Sequence, residues 1–255
     1  MFVESIPLRF AGLGLNARMR ELTGRDEFEV LGTNTANAIR LLSSLLEDRD
    51  GLDAADLVAS DRDRLLAAVY RRAFGDRIES TITCARCSQP FDLDFSLRQL
   101  IKTVDDRSDA DDWTFLGDGR FESSTGASFR LPTGRDELEL SALSPAVVEQ
   151  SLLKRCTEES GWTESQTAFE ELLERVAPLL DLELVAQCVE CGHRHTVQFD
   201  IQTYVLGAIV GERRRLLTEI NRLARAYSWS LAEILSLRRS DRRQFVELIE
   251  NEYVT

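Results

Sequence analysis

Two short cysteine pairs, set about a hundred residues apart, constrain this chain more than any other feature of its sequence. Cys84 and Cys87 form one Cys-x-x-Cys pair, and Cys188 and Cys191 form the second. A pair with this spacing presents two thiolates to one ion, whereas a structural zinc ion takes four ligands in a tetrahedron. Each pair therefore supplies half of a site, and we predict one structural zinc ion bound by all four cysteines.

An internal repeat explains why the two pairs lie so far apart. The segment RELTGRDEFEV at 20–30 matches RLPTGRDELEL at 130–140, at an offset of 110 in the numbering. An offset of 104 then places Cys84 on Cys188 and Phe95 on Phe199. We therefore predict two pseudo-repeated units that face each other across the shared ion.

Periodicity assigns the chain to the α+β class. Apolar residues recur at helical spacing in stretches such as 36–47 and 144–156, and they alternate at a period of two after each cysteine pair. We expect two β/α units, each ending in a Cys-x-x-Cys zinc knuckle hairpin, and a helical arm. The predicted parts are a first repeat unit at 1–106, an acidic linker at 107–112, a second repeat unit at 113–206 and a helical C-terminal arm at 207–255.

Short motifs predict where individual elements begin. Thr23 and Thr133 each precede Gly-Arg-Asp and are typical helix N-caps, because the hydroxyl accepts an unpaired amide while the acid lies at the positive helix end. Ser144 is predicted to cap a helix whose first residue is Pro145. Ser60 and Thr163 are predicted to begin a later helix in each unit. A hairpin with its turn at 117–119 is predicted ahead of the second unit.

Charge and composition limit the classes of function. The formal net charge is −13 at pH 7, and such an excess of acid repels phosphate backbones, so we expect no nucleic-acid partner. No apolar stretch approaches the roughly 18 residues of a membrane span, and the first ten residues do not resemble a secretory leader. We therefore expect a cytoplasmic protein without a membrane partner, in which paired cysteines favour a metal over disulfides.

Three other interpretations fit the cysteine pairs less well. A redox dithiol of the thioredoxin type would open a helix, whereas these pairs lie between strand patterns. A hydrolytic zinc site using His193 or His195 would need an open coordination position, whereas four thiolates close the shell; we expect both histidines to be exposed strand residues. The third interpretation is four buried free thiols without an ion. The fifth cysteine, Cys156, is expected to fill the core.

The C-terminal arm combines amphipathic helices with a local excess of arginine. One apolar stripe is expected to include Leu216, Leu217 and Leu223. Helices with spare apolar area often bind another protein, whereas the alternative is that they pack on the body of the same chain. The predicted partner-binding residues are Tyr227, Trp229, Ile234, Leu235, Arg238, Arg239, Arg242, Arg243 and Phe245.

Several of these segments together resemble a known family. The stretch LARAYSWSLAEILSLRRSDRRQFVELIE at 223–250, with LTGRDE, LPTGRDELEL and the paired cysteine turns, is similar to the baseplate hub assembly chaperone family of contractile-tailed phages and related contractile injection systems. The similarity covers most of the chain from about Arg20 onward. It implies a factor that helps to build, or becomes part of, the baseplate and central spike hub, with baseplate, spike-hub or tape-measure-type proteins as partners. The zinc prediction rests on this sequence rather than on the family.

The sequence as a whole predicts a non-enzymatic protein. No Ser/His/acid set, phosphate loop or paired-carboxylate motif stands out, and two histidines leave few options for general base chemistry. We expect an assembly chaperone or structural component of a contractile tail or injection system, with the arm as its binding surface. The alternative is a zinc-ribbon adaptor for nucleic acid or transcription machinery, which the acidic residues beside the cysteines disfavour.

Overall fold

The computed structural model describes residues 4–10, 15–47, 51–106, 113–117, 119–123, 126–157 and 165–252. The first half of the chain contains an antiparallel hairpin, three helices, a second hairpin and a fourth helix. Its elements are β1 (Glu4–Pro7), β2 (Asn16–Met19), α1 (Gly24–Glu29), α2 (Thr35–Leu45), α3 (Ala59–Phe74), β3 (Arg77–Thr83), β4 (Pro90–Ser96) and α4 (Leu97–Asp105).

The second half begins with a three-stranded antiparallel sheet and then repeats the same order of three helices, a hairpin and a helix. Its elements are β5 (Trp113–Gly117), β6 (Arg120–Ser123), β7 (Ser128–Arg130), α5 (Gly134–Leu140), α6 (Pro145–Thr157), α7 (Gln166–Val176), β8 (Asp181–Gln187), β9 (Arg194–Asp200) and α8 (Ile201–Gly211).

Three further helices follow and pack against one another and against α1. They are α9 (Arg213–Tyr227), α10 (Leu231–Ser236) and α11 (Arg239–Glu252). A left-handed residue, Ser228 with φ 55°, ends α9 and turns the chain toward α10. Among the described residues, no helix combines the length and the apolar character needed to cross a bilayer.

The structure confirms the α+β class and several predicted elements. Strands β4 and β9 leave the two cysteine pairs as expected, and Pro145 is the first residue of α6. The predicted linker at 107–112 lies outside the described residues, as do Asp118 and Thr163. The division into repeat units stays a prediction, and its boundary at 206 falls within α8.

Some local predictions were wrong. Ser60 does not begin α3, which starts one residue earlier because Val58 pairs with Thr133 in an isolated β-bridge and so fixes the end of the extended segment. The N-cap of α7 is Ser165, whose Oγ accepts a hydrogen bond from the backbone N–H of Ala168 at 3.2 Å. The hairpin predicted with its turn at 117–119 is confirmed by the antiparallel pair β5 and β6, and β7, which was not predicted, adds a third strand by pairing with β6.

The two Thr-Gly-Arg-Asp motifs cap α1 and α5 as predicted. Asp26 accepts a hydrogen bond from the backbone N–H of Thr23 at 2.8 Å, and Arg20 donates two more at 2.7 and 2.8 Å. Burial works to raise the pKa of Asp26, but Arg20 and Thr23 outweigh it and lower the pKa. The corresponding contacts of the second motif are Arg130 to Asp136 at 2.7 and 2.8 Å and Thr133 to Asp136 at 2.9 Å.

The largest apolar core belongs to neither half alone. It joins the buried faces of α2 and α3 to Leu180, Phe199 and the buried side of α8. A second core, below β5–β7, takes Phe10 and Val58 from the first half. The buried Cys156 lies in this second core, as predicted. Each half therefore contributes side chains to the core of the other.

Asp63 is a buried carboxylate at the junction of the two halves. It lies in α3 and accepts a hydrogen bond from the backbone N–H of Leu180 at 2.9 Å. Burial raises the pKa of Asp63 to about 7, although the Leu180 N–H and the nearby Arg62 oppose this rise. The unfolded chain releases the same proton near pH 4. Between these two values the folded chain binds more protons, so this group makes stability fall as the pH rises.

We expect Asp63→Asn to flatten this part of the pH profile, because asparagine keeps an acceptor for the Leu180 N–H but has no proton to release. In the wild-type protein, Asp63 should lower the free energy of unfolding by up to ~4 kcal/mol as the pH rises from 4 to 7. Urea unfolding of both proteins at pH 5 and pH 7 measures the difference. Parallel pH profiles for the two proteins would contradict the expected role of Asp63.

Candidate metal centre

The tips of two hairpins, β3–β4 and β8–β9, carry the cysteine pairs. In the first tip the backbone N–H of Cys84 donates to the carbonyl of Gln89, and that of Ser88 donates to the carbonyl of Cys84, both at 2.9 Å. Both tips place the residue after the second cysteine in the left-handed region, with φ 59° at Ser88 and 70° at Gly192. The corresponding bonds of the second tip are Cys188 N–H to His193 O and Gly192 N–H to Cys188 O, also both at 2.9 Å.

The four sulfurs meet at one point between the hairpins. The Sγ atoms of Cys84 and Cys191 are 3.6 Å apart, and those of Cys87 and Cys188 are 3.7 Å apart. All four Sγ atoms lie within 4.8 Å of one another. A tetrahedral ion with Zn–S bonds of about 2.3 Å requires sulfur–sulfur edges of about 3.8 Å. The cluster is therefore arranged so that it could hold a single metal ion.

Apolar side chains surround the cluster. Cys84 and Cys188 are buried, while Cys87 and Cys191 are half-buried. Phe91 and Ala186 are buried against them, and half-buried Ile82, Leu93 and Val197 complete the layer. Because such a layer excludes water, it strengthens the attraction between thiolates and a cation.

Contacts around the thiols favour the ionisation of one of them. Burial works to raise the pKa of Cys84, but two backbone N–H groups of the turn and the ring of His195 lower it to about 5. The pKa of Cys87 is raised to about 12: the backbone N–H of Gln89 lowers it, but burial and hydrogen bonds to the other sulfurs prevail. Four negative charges at this spacing need a cation to neutralise them, which is the electrostatic condition of a metal tetrathiolate.

His195 contacts the cluster directly, and the prediction that both histidines are exposed was wrong. Its Nε2 lies 3.3 Å from the Sγ of Cys84, and its ring packs on Phe91 with centroids 5.2 Å apart. His193 is also half-buried and meets the His195 ring edge-on at 4.7 Å. The sequence did contain a signal, because His195 occupies the inward-facing register of Val197 and Phe199 on the same strand.

The arrangement does not favour a hydrolytic ion. A catalytic zinc ion keeps an open position for water or substrate, whereas four sulfurs fill a tetrahedron. His195 contacts a prospective ligand atom rather than adding a fifth ligand. In the part of the chain that the structure describes, these cysteines are the one group of three or more His, Cys, Asp or Glu side chains placed to share an ion.

Four of the nine predicted partner-binding residues are unavailable on the surface. Ile234, Leu235, Arg239 and Arg242 are buried inside the chain. Leu217, expected on the apolar stripe of the arm, is instead 49% exposed. The remaining five residues are exposed or half-buried, and their role in partner binding stays a prediction: Tyr227, Trp229, Arg238, Arg243 and Phe245.

A buried charge network in the arm was missed by sequence reasoning. The guanidinium of Arg242 is 1% exposed and pairs with Glu27 and with Glu219, the latter at 2.7 Å. Arg239 pairs with Glu27 and Glu212. Local periodicity does not report such pairs, because Glu27 lies more than two hundred residues from either arginine.

Comparison with known proteins gives one family. The family model described as T4 bacteriophage base plate protein matches residues 11–205, about three quarters of the chain. The matched range contains both cysteine pairs and ends within α8, so α9, α10 and α11 lie beyond it. Neither the curated proteins nor the solved structures contain a match to this chain.

We expect the purified chain to contain one metal ion, and Cys188→Ser to remove it, because three thiolates bind far more weakly than four. The melting temperature should fall on the order of 10 °C for this variant and after treatment with a chelator. Elemental analysis by mass spectrometry identifies the metal. Cys156→Ser is the matched control and should keep the ion. A full metal content in Cys188→Ser would contradict the four-cysteine site.

We expect His195→Phe to keep the ion but to release it faster, because phenylalanine, the residue at the corresponding Phe91, cannot donate to Cys84. Loss of such an outer hydrogen bond typically weakens metal affinity 10–100-fold. The rate of metal transfer to a chromogenic chelator measures the effect. The control is His193→Gln, which introduces the residue found at the corresponding Gln89, and it should release the ion at the wild-type rate. Equal rates for all three proteins would show that the His195 contact has no role.

Proposed function

Because the chain belongs to the T4 bacteriophage base plate protein family, we propose that it is a non-enzymatic assembly chaperone or structural component of the baseplate and spike hub. The apparatus is a contractile phage tail or a related contractile injection system. The match over residues 11–205 is the observation that carries this proposal. We propose that it acts in the cytoplasm during assembly. If it is a structural component rather than a chaperone, it is incorporated into the finished particle.

The proposed role of the cysteines is to bind a structural zinc ion through Cys84, Cys87, Cys188 and Cys191. The support is the set of four sulfurs within 4.8 Å, because all-thiolate tetrahedra select zinc or iron among the common metals. The ion would join two hairpins whose cysteines are more than a hundred residues apart. No reaction step is assigned to it, since it would serve stability alone.

The proposed architecture is a pair of repeated units around a pseudo-twofold axis at the ion. Corresponding residues meet across such an axis: Phe95 packs on Phe199 at 5.2 Å, and Phe91 packs on His195 at 5.2 Å. Both pairs are related by the same offset of 104 that aligns the cysteines. The crossed sulfur contacts, Cys84 with Cys191 and Cys87 with Cys188, follow the same symmetry. The repeat thus explains why one ion suffices for two half-sites.

The proposed partner is a baseplate, spike-hub or tape-measure-type protein that binds the exposed part of the arm. Tyr227, Trp229 and Phe245 form a half-buried aromatic cluster, with the Tyr227 and Trp229 rings 4.7 Å apart and the Trp229 and Phe245 rings 5.1 Å apart. Arg238 is exposed and follows Leu237, which packs in the same apolar cluster as these rings. Aromatic and arginine side chains are the residues that most often anchor protein interfaces.

Co-expression with the sheath, tube and spike-hub genes of the same tail system tests this function. We expect a baseplate or hub component to co-purify with the chain at a fixed ratio. Arg238→Glu should weaken the complex at least about tenfold, since reversing an anchoring charge costs more than about 1.4 kcal/mol. Arg98→Glu, which reverses an exposed arginine in the first half, should not weaken it.

Two results would contradict the proposal. One is the absence of any tail component in the purified material. The other is tight DNA or RNA binding in gel shifts at low salt, which would favour the zinc-ribbon adaptor. Protein composition of finished particles separates a structural component, which stays, from a chaperone, which leaves.

A further inference from the structure

Two short segments of this chain share a sequence and a position at the start of a long helix. Leu57–Arg62 reads LVASDR and runs into α3, and Leu237–Arg242 reads LRRSDR and runs into α11. The two are related by an offset of 180 in the numbering, with leucine, serine, aspartate and arginine in common. We call them the first and the second docking segment.

Each docking segment lies on one of the two Thr-Gly-Arg-Asp-Glu helix starts. The backbone N–H of Gly134 donates to the carbonyl of Leu57 at 3.0 Å, and that of Gly24 donates to the carbonyl of Leu237 at 3.0 Å. Next to these bonds, two isolated β-bridges join the same elements, Val58 with Thr133 and Arg238 with Thr23. We call each contact of a docking segment with a helix start a joint. The four contacts named here correspond between the two joints, at the offset of 180 on the docking segments and 110 on the helix starts.

The charges are matched in the same way. In the first joint Arg62 pairs with Glu137 at 2.9 Å, and in the second Arg242 pairs with Glu27. Both arginines are buried. A buried guanidinium without its carboxylate is strongly unfavourable, so this pair sets which segment fits which helix start.

The glycine of each helix start is required by this close approach. A Cβ atom at Gly134 would lie 2.7 Å from Ile39 Cδ1 of α2, and also 3.3 Å from Arg62 Nη1 and 3.2 Å from the carbonyl oxygen of Ala55. A Cβ atom at Gly24 would lie 2.9 Å from Arg242 Nη1 and 3.2 Å from the Cα of Leu235. Ala55 and Leu235 again correspond at the offset of 180. The two joints therefore share these contacts, and the second adds the pairs of Arg239, whose corresponding residue in the first is Ala59.

The second half lacks a docking segment of its own. The offset of 104 that aligns the cysteines places Ser60, Asp61 and Arg62 on Glu-Ser-Gln at 164–166, which has no arginine. In the twofold arrangement proposed above, that stretch would lie on α1. The C-terminal arm supplies the missing segment instead. This step alone rests on the proposed repeat.

The recognition does not depend on how the chain connects its parts. In the first joint Arg62 precedes Glu137 by 75 residues, whereas in the second joint Arg242 follows Glu27 by 215 residues. Because the same contacts form in both chain orders, the connection is not part of the contact. The same segment on another molecule presents the same groups.

We propose that the start of α1, Thr23–Glu27, is a docking site for a Leu-x-x-Ser-Asp-Arg helix start, filled by the arm of the same chain and open to the arm of a second copy. Within one chain the arm acts at an effective concentration in the millimolar range. Exchange between copies therefore becomes visible once this tether is cut. Arm exchange of this kind would join copies without any new interface.

The test uses the full chain with a protease site inserted after Ser228, the exposed left-handed residue between α9 and α10. After cleavage of the folded protein, a labelled peptide of residues 229–255 is added and its binding measured by fluorescence anisotropy. We expect it to replace the cleaved arm. The Arg242→Ala peptide should bind at least about 30-fold more weakly.

Two further experiments test whether the two joints are equivalent. A peptide with Arg238→Val carries the valine of the first docking segment and keeps Arg239, whose pairs with Glu27 and Glu212 have no counterpart in the first joint. It should bind within about tenfold of the natural peptide. An uncut second copy with Gly24→Val, whose own α1 cannot receive its arm, should bind the cleaved chain, whereas an uncut wild-type copy should bind far more weakly. If Gly24→Val unfolds the chain, Glu27→Gln replaces it.

Three results would overturn the proposal. The labelled peptide could fail to enter the cleaved protein while circular dichroism shows it folded. The Arg238→Val peptide could bind as weakly as the Arg242→Ala peptide. The uncut Gly24→Val or Glu27→Gln copy could bind no better than wild type. None of these outcomes depends on a baseplate partner, so they separate this proposal from the proposed function.

Discussion

Convergence of four sulfurs on one point is the constraint on which the rest of this structure depends. The sulfurs come from turns 101 to 107 residues apart, so the two hairpins must meet before the site exists. Closing such long loops costs several kcal/mol of chain entropy, and a metal ion bound by four thiolates would offset that cost. The edge-to-face pair Phe95–Phe199 and the tilted pair Phe91–His195 also join the two hairpins, and Phe199 belongs to the large apolar core.

Ion pairs with buried arginines are the second set of contacts that define how the parts of the chain are arranged. A buried guanidinium–carboxylate pair contributes little net stability compared with a hydrophobic contact, but it strongly disfavours wrong neighbours. Arg62 and Arg242 supply buried guanidinium groups to two such pairs on separate helix starts; the carboxylate of Glu27 is also buried, and that of Glu137 is 26% exposed. The apolar cores are shared between the halves. The charge pairs therefore define the arrangement of the parts, and the shared cores supply most of the stabilising energy.

The sequence was most informative where the signal was local. The caps at Thr23 and Thr133, the strands after the cysteines and the start of α6 at Pro145 all follow from residues within one turn of each other. The meeting of the cysteines was predictable only because coordination chemistry demands four ligands. The burial of Arg239 and Arg242 could not be predicted in this way, because arginine on an amphipathic helix is usually solvated. Their shared partner, the carboxylate of Glu27, is distant in the sequence. His195 was misjudged for a similar reason, since its partner Cys84 belongs to the other hairpin.

The bond from Gly24 to the carbonyl of Leu237 joins one of the first helices to be synthesised with one of the last. A ribosome adds about 5–20 residues per second, so the start of α1 leaves the exit tunnel roughly 10–40 s before its own arm does. During this interval a neighbouring finished molecule can offer its arm first. Polysomes, where many nascent chains lie side by side, would then be the place where the pairing of copies is decided, and the order of translation would become part of the assembly pathway.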